Sequence, residues 1–394
     1  MDLAGTRARG GAPPGRLCAF AEAVYRRAML DLARLPDDAR AVLARHGFAE
    51  LPFAELAARL AREGFDPERN RLRQPLEPPP PQAIETLPDE SSDEYRRLVD
   101  AGGEAIAAGR VGVVILNGGM ATRFGGVVKG TVVAARGRSF LDGKIRQARR
   151  VSGGAAPVWL MNSFATAAAT ARHLEDLGLS GAVRTFEQFA APRLTERGEL
   201  LLVEGRPSLY APGHGDLPDA FRRSGELARF RAAGGRLLVV SNVDNLGAGL
   251  DPAVLGWHLA RGRPMTVELV DKLPGDVGGM PAVVGGRLTI VEAFRIPRSF
   301  DPDRIPVFNT NTFVFEAALF ERSWPFEWFA VRKNVGDRPA IQFERLVGQL
   351  ADWVEAAWLR VPRTGPRSRF LPVKVPEDLT LRGSEIEALL DRFA

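Results

Sequence analysis

The sequence predicts a doubly wound α/β fold, with a mixed, mostly parallel sheet and an N-terminal helical segment in front of it. Three observations carry this. From residue 111 onward, short apolar runs rich in β-branched residues alternate with longer helix-like stretches. The first run, Val111 to Leu116, is continuously apolar, as a strand covered on both faces is. It runs straight into a glycine-rich turn, Asn117 to Gly126, at the strand end where such sheets hold their ligands.

Taken in order, residues 16–66 read as helical and amphipathic, with Leu17, Phe20, Val24, Met29, Leu32 and Leu35, then Val42, Leu43, Leu56 and Leu60 near helical spacing. Pro75 and Pro78 to Pro81 follow as a stiff connector that cannot continue a helix. The expected division is therefore a helical segment and linker over 1–82, a main α/β domain over 83–375, and a short helical tail over 376–394. Asp89 to Ser92 offers capping chemistry for a helix ending near Gly109. Further strands are expected at Val158 to Leu160, Val183 to Phe186, Leu237 to Val240 and Thr266 to Val270, with helices at Ala165 to Leu177 and Asp219 to Ala233 between them. Leu288 to Val291, Val307 to Phe308 and Phe313 to Phe315 are β pieces that edge the sheet or build a lid. A helix from Gly383 to Phe393 closes the chain.

At 394 residues, 45% apolar and 26% charged, the chain can bury a large core. The start, MDLAGTRARGGAPPGR, lacks the apolar core of a secretory signal, and no uninterrupted apolar run is long enough to span a membrane, so cytoplasmic residence is the expectation. Cys18 is the single cysteine, which excludes an intrachain disulfide and a thiolate metal cluster. The net charge of +5 is scattered, without the basic run and interleaved aromatics of a nucleic-acid surface, and suits small anionic substrates. Among 53 basic residues only five are lysines, Lys129, Lys144, Lys272, Lys333 and Lys374. In a chain so strongly drawn to arginine, a surviving lysine marks a place where a compact, rotatable ammonium is needed.

Backbone amides without side chains, beside Arg123 and Lys129, suit a polyphosphate. Two familiar glycine motifs fit poorly. A dinucleotide fingerprint wants G-x-G-x-x-G, but Gly118 and Gly119 are adjacent; a Walker loop wants Gly-Lys followed by Ser or Thr, but Lys129 lies between Val128 and Gly130. Asp244, just after the strand ending at Val240, stands where a carboxylate can hold Mg²⁺, a hard cation that shares its shell between one or two carboxylates and substrate phosphates.

Nine segments follow one another along the chain: LNGGMATRFGG with Lys129, WLMNSFAT from Trp159, RTFEQF from Arg184, LYAPGHGDL from Leu209, VSNVDNLGA from Val240, VELVDKLPGDVGG from Val267, VEAFRIP from Val291, FNTNTFVF from Phe308 and PRSRFLPVK from Pro366. Together they resemble the UTP:glucose-1-phosphate uridylyltransferase (UDP-glucose pyrophosphorylase) family, whose nucleotidyltransferase fold is Rossmann-like. The resemblance implies that UTP and a sugar 1-phosphate, glucose 1-phosphate foremost, give a UDP-sugar and pyrophosphate with Mg²⁺ as cofactor. It implies catalytic roles for Lys374, Lys129, Arg123 and Asp244, with Asp244 on the metal. It implies nucleotide contacts from Leu116, Gly118, Gly119, Met161, Gln188, Gly213, His214 and Ser241, with Gln188 reading the uracil edge. Sugar contacts fall to Asn242, Gly279, Glu292, Asn309 and Asn311.

The pattern is not followed throughout. Ala121 stands where the family usually has glycine, the loop is one residue short before Lys129, and no lysine precedes Gly278 and Gly279. The family's C-terminal β-helix domain is expected to be missing after Lys374. No nucleic-acid or membrane partner is expected, and a homo-oligomer stays open. So do three other readings: a uridylyltransferase for a galactose or N-acetylhexosamine phosphate, a non-catalytic nucleotide-sugar binding protein, and a dinucleotide-dependent oxidoreductase, which the adjacent glycines disfavour.

Overall fold

The computed structural model describes residues 35–121 and 124–391. The leading part of the predicted helical segment, with Cys18, lies outside the described residues, as does Arg123 of the glycine-rich turn. A mixed eight-stranded sheet forms the centre. In chain order its strands are β1 (Ile84–Thr86), β2 (Val111–Leu116), β3 (Val158–Asn162), β4 (Arg184–Glu187), β5 (Leu237–Asn242), β6 (Met265–Asp271), β7 (Val307–Glu316) and β8 (Ala356–Arg360). Their spatial order is β1-β8-β6-β7-β5-β2-β3-β4. Every neighbouring pair is parallel except those made by β7, which runs antiparallel to both β5 and β6. All six residues of β2 are buried, the continuous apolar strand of a sheet covered on both faces.

The placement of β7 corrects the expectation of separate edge or lid pieces. Val307 to Phe308 and Phe313 to Phe315 are the two ends of one strand in the middle of the sheet. The polar stretch between them hides the continuity, because the ladder slips there: opposite β6 the register shifts between Val267 and Leu269. Asn311 adopts φ 56° at that bulge. Leu288 to Val291 instead belongs to a strand, Arg287–Val291, that pairs with Met280–Val284 in a separate small sheet.

Helices α1 (Asp37–Arg45) and α2 (Phe53–Glu63) pack Leu43, Phe53, Leu56 and Leu60 against Ala190, Leu194, Tyr210, Ile341 and Phe343. The proline run lies between two paired segments, since Leu76–Glu77 joins Val283 and Val284 of the small sheet and β1 joins β8. Helix α3 (Asp93–Ala107) is capped by the Ser92 hydroxyl, which accepts the Tyr95 N–H at 3.1 Å. α4 (Phe140–Ser152) and α5 (Ala167–Asp176) follow β2 and β3. The single helix expected over Asp219 to Ala233 is two, α6 (Leu217–Arg223) and α7 (Glu226–Ala232), broken where Gly225 takes φ 77°. α8 (Pro252–Arg261) lies tightly on α3: a Cβ on Gly102 would stand 1.9 Å from the Pro252 carbonyl oxygen, and one on Gly256 the same distance from that of Leu98. Two short helices, α9 (Pro376–Leu381) and α10 (Gly383–Asp391), end the described chain.

Candidate active site

The strand order reverses direction beside β2: β3 and β4 extend the sheet one way, while β5 lies on the other side. Loops leaving the carboxyl ends of β2 and β5 diverge there, and a crevice opens between them. It holds a cavity of about 780 Å³. Leu116, Gly118, Gly119, Lys129, Gln188, Gly213, His214, Asn242, Asp244 and Lys374 all line it, although they span 259 positions of sequence from first to last.

Each is fixed by local chemistry. The Asn117 amide group donates to Asn162 Oδ1 at 2.8 Å and Thr170 Oγ1 at 2.9 Å, pinning the turn after β2 to the next strand and helix. Ser163 Oγ donates to the Gly118 carbonyl at 2.8 Å. Gly118 has no room for a side chain, because an added Cβ would be 2.6 Å from Gln188 Oε1. The Gln188 amide therefore lies against the glycine backbone, where both its carbonyl and its NH₂ are available to a planar base edge.

His214 sits between two glycines that let the backbone run against residue 345: Gly215 donates its N–H to the Arg345 carbonyl at 2.9 Å, and Gly213 takes φ 102°. Its Nδ1 accepts the Val347 N–H at 3.1 Å, so the neutral ring carries its proton on Nε2. Burial pushes its pKa down to about 4, which keeps the imidazole an uncharged donor at neutral pH. Beneath it Asp216 is fully buried, ion-paired to Arg345 at 2.8 Å, and accepts the Phe189 N–H at 3.2 Å. Burial outweighs the arginine and pushes the Asp216 carboxyl up to about 6.

Lys129 and Asp244 form an ion pair, Nζ to Oδ2, at 2.8 Å. The Asp244 loop is locked to the segment that ends in Lys374. Val373 donates its N–H to the Asp244 carbonyl at 3.1 Å, Leu371 donates to Asn245 Oδ1 at 2.8 Å, and Asn245 Nδ2 donates to the Arg369 carbonyl at 3.2 Å. Lys374 itself is exposed at the cavity rim. Asp244 supplies one carboxylate to the cavity, and among the described residues no group of three or more His, Cys, Asp or Glu could cage a metal. That donor set fits Mg²⁺ shared with substrate phosphates and does not fit a resident ion held by protein alone.

Of the expected sugar residues Asn242 alone lines the cavity, and Asn311, Asn309, Gly279 and Glu292 connect to it through a chain of contacts behind the wall. Asn311 Nδ2 donates to Asn242 Oδ1 at 2.8 Å, a contact made possible by the β7 bulge, and Asn311 N donates to Asn309 Oδ1 at 3.0 Å. Asn309 N reaches the Gly279 carbonyl at 2.8 Å, and a Cβ on Gly279 would be 2.8 Å from Glu292 Oε1. Burial pushes the Glu292 carboxyl up to about 7, with Arg295 pulling it down and Glu344 raising it further.

Two of the expected nucleotide residues lie elsewhere. Met161 is wholly buried in the core beneath the crevice, because β3 turns alternate side chains to opposite faces. Ser241 is likewise buried, its hydroxyl donating to the Ala248 carbonyl at 3.0 Å. Arg123 lies outside the described residues. Sequence reasoning in turn missed one wall of the cavity, made by a hairpin of Phe329–Val335 and Arg338–Glu344 that contributes Lys333, Asn334, Gln342 and Glu344, with Arg193 beside them. Arg193 Nε donates to Gln342 Oε1 at 3.1 Å and Lys333 Nζ pairs with Glu344 at 3.3 Å. Lys333 was visible only as one of five lysines; Gln342 and Glu344 carry no short motif.

Residues 79–391 match the family model described as UTP--glucose-1-phosphate uridylyltransferase. The chain belongs to that family. It is 31% identical over 301 residues to the UTP--glucose-1-phosphate uridylyltransferase of Saccharomyces cerevisiae, covering 70% of this chain and 60% of that one. It is 29% identical over 326 residues to the Hordeum vulgare protein of the same description, covering 78% of this chain and 66% of that one. The family member described here thus spans less than two thirds of the length of these curated relatives. Among solved structures, a UDP-glucose pyrophosphorylase variant from Leishmania major in complex with UDP-glucose superposes with a TM-score of 0.68 at 22% identity, over 93% of this chain and 79% of that one. The UDP-N-acetylglucosamine pyrophosphorylase from Trypanosoma brucei gives 0.72 at 19% identity, over 94% and 85%. These neighbours share the fold, the mixed α/β architecture that the sequence predicts.

Proposed function

We propose that the protein is an enzyme that transfers a uridylyl group from UTP to a sugar 1-phosphate, with glucose 1-phosphate the first candidate, releasing pyrophosphate. The observation that carries the reading is the meeting of the Gly118 turn, Gln188, the Lys129–Asp244 pair and Lys374 in one cavity at the switch of the sheet. Family membership supports the same chemistry.

In this reading an oxygen of the sugar phosphate attacks the α-phosphorus of UTP; the bond to that phosphorus forms as the bridge to the β-phosphorus breaks, and its electron pair leaves with pyrophosphate. A phosphate oxygen is already ionised at neutral pH, so no general base is required. The work falls to positioning and charge compensation. Gln188 holds the uracil edge against Gly118, and His214 Nε2–H donates to the nucleotide. Lys374 draws two mutually repelling phosphates together, and Lys129 with Arg123 steadies the departing pyrophosphate. Asn242 and Asn311, with Glu292 behind them, face the sugar hydroxyls. Mg²⁺ held by Asp244 and the phosphates would supply neutralising charge at the triphosphate. Absence of an apolar helix long enough to cross a membrane among the described residues is compatible with a cytoplasmic site for this reaction.

The test is pyrophosphate release from UTP, Mg²⁺ and a panel of sugar 1-phosphates. Glucose 1-phosphate should be the best acceptor, and Lys374→Met should lower kcat by at least about 100-fold while UTP binding stays within a few-fold. UTP binding without pyrophosphate release from any sugar phosphate would reject the transfer reading in favour of a nucleotide-sugar binding protein.

A further inference from the structure

Lys144 is a lysine that the proposed reaction does not use. Of the five lysines, Lys129, Lys333 and Lys374 line the cavity, and Lys272 pairs with Asp303 at 2.7 Å. Lys144 extends from α4 into the protein and is only 4% exposed. Its Nζ lies 2.7 Å from Ser241 Oγ, 3.0 Å from the Asn245 carbonyl oxygen and 2.6 Å from the Ala248 carbonyl oxygen. Ser241 spends its own hydrogen on the Ala248 carbonyl, so its oxygen faces the lysine as an acceptor. Three acceptors therefore meet three N–H bonds of an ammonium, whereas a neutral amine would set a lone pair against one of them.

All three oxygens belong to one stretch, residues 241–248, which carries Asn242 and Asp244 into the cavity. Burial, with Arg369 beside it, pushes the Lys144 pKa down to about 7, while Asp244 and Glu268 favour the ammonium; the three oxygens within hydrogen-bond reach are what hold the charged form in place. Glu268 is itself tied to Arg369 at 2.6 Å, and Arg369 reaches the Gly249 carbonyl at 3.0 Å, so the same loop is held at its far end by a second buried cation. Asp244 thus stands between Lys129 on the cavity side and Lys144 behind.

We infer that Lys144 is a tethered cation: its ammonium fills an internal oxygen-lined site and sets the path of the 241–248 loop, and so the position at which Asp244 and Asn242 meet the substrates. This makes Lys144 a positioning residue, and the inference rests on the uridylyl-transfer reading for its kinetic part only. An oxygen cage of this kind, once emptied, should accept a small monovalent cation.

The experiment compares Lys144→Ala and Lys144→Met with the wild type in sodium, ammonium and tetramethylammonium chloride at equal ionic strength. Lys144→Met keeps the hydrocarbon stem and should lower kcat by about 10- to 100-fold, the usual effect of removing a group that orients a functional residue, with UTP affinity less affected. Lys144→Ala should regain turnover with added ammonium but not with tetramethylammonium. Its melting temperature should rise by about 2 °C or more in ammonium relative to sodium, while the wild type does not respond. That thermal shift requires no turnover, so it separates failure of this inference from failure of the transfer reading. Wild-type kcat in Lys144→Met, or a folded Lys144→Ala whose activity and melting are both indifferent to ammonium, would overturn the assignment. If Lys144→Ala does not fold under any condition, wild-type kcat in Lys144→Met still overturns it and a lowered kcat supports it.

Discussion

A methyl group on Gly118 would collide with the side-chain carbonyl of Gln188, and the contact decides what that glycine is for. The turn needs no positive φ there, so its demand is for close approach and not for backbone freedom. Gly118→Ala should therefore fold normally yet push the Gln188 amide out of place, weakening UTP binding by roughly tenfold, about 1.4 kcal/mol. Calorimetric titration with UTP checks this, and an unchanged Kd would detach Gln188 from the uracil pocket. Glu292 gives a pH-dependent prediction. Its folded pKa, about 7, stands above the ordinary 4.5, so the folded state retains a proton that the unfolded chain releases. The stability it contributes is full below about pH 4.5 and is lost as pH rises through 7. Glu292→Gln should remove that slope and gain on the wild type by on the order of 1–2 kcal/mol at pH 8 relative to pH 5; parallel melting curves across the range would contradict it. Such residues were legible in sequence because each sits in a short motif with distinctive chemistry. Met161 and Ser241 also sit in motifs, but a motif does not state which face of a strand or loop a side chain takes.

Elements meet at His46, the C-cap of α1, and Glu187, the last residue of β4. Both ring nitrogens face acceptors, Nδ1 the Val42 carbonyl at 2.7 Å and Nε2 the Glu187 carboxylate at 2.6 Å, so the ring is held as imidazolium. The hydrogen bond to Glu187 raises its pKa, against the opposing effect of burial. The His46 carbonyl also accepts the Ala190 N–H at 3.2 Å, so α1 brackets Gln188 on both sides. Stability from the pair is complete below pH 6.5 and disappears as pH rises through the elevated folded value. His46→Gln should cost about 1 kcal/mol at pH 6, the half-exposed glutamate limiting the effect, and almost nothing at pH 9. Denaturant midpoints at the two pH values test it, and equal losses at both would show that the imidazolium is not involved. Long-range pairing of this sort leaves no local trace in sequence. β7 illustrates the opposite problem: Asn309 to Thr312 read as a break because polar residues rarely fill a central strand, yet the bulge there is what presents Asn311 to Asn242.

At the scale of the molecule, the hairpin strand Arg338–Glu344 joins the helical segment to the cavity. Its alternation places Gln342 and Glu344 on the cavity wall and Ile341 and Phe343 in the apolar cluster with Phe53, Leu56 and Leu60 of α2. The sequence shows the helical segment's amphipathic spacing clearly but not which surface receives it, since that surface is assembled from residues 190–210 and 341–343. Each buried leucine or phenylalanine is worth about 1.5–3 kcal/mol, so five such residues, Leu35, Leu43, Phe53, Leu56 and Leu60, amount to a sum comparable with the whole stability of a typical domain. Phe53→Ala should accordingly lower stability by about 3–5 kcal/mol, and because the hairpin then loosens, it should also raise the KM for the sugar phosphate more than it lowers kcat. Removing residues 1–66 should leave a protein that does not fold cooperatively at 25 °C, as followed by far-UV circular dichroism and denaturant titration. A shortened chain that unfolded at the same midpoint and turned over normally would make the helices an independent appendage, and the proline run a true domain boundary; a broadened or absent transition would make the helices part of the wall against which the substrates are held.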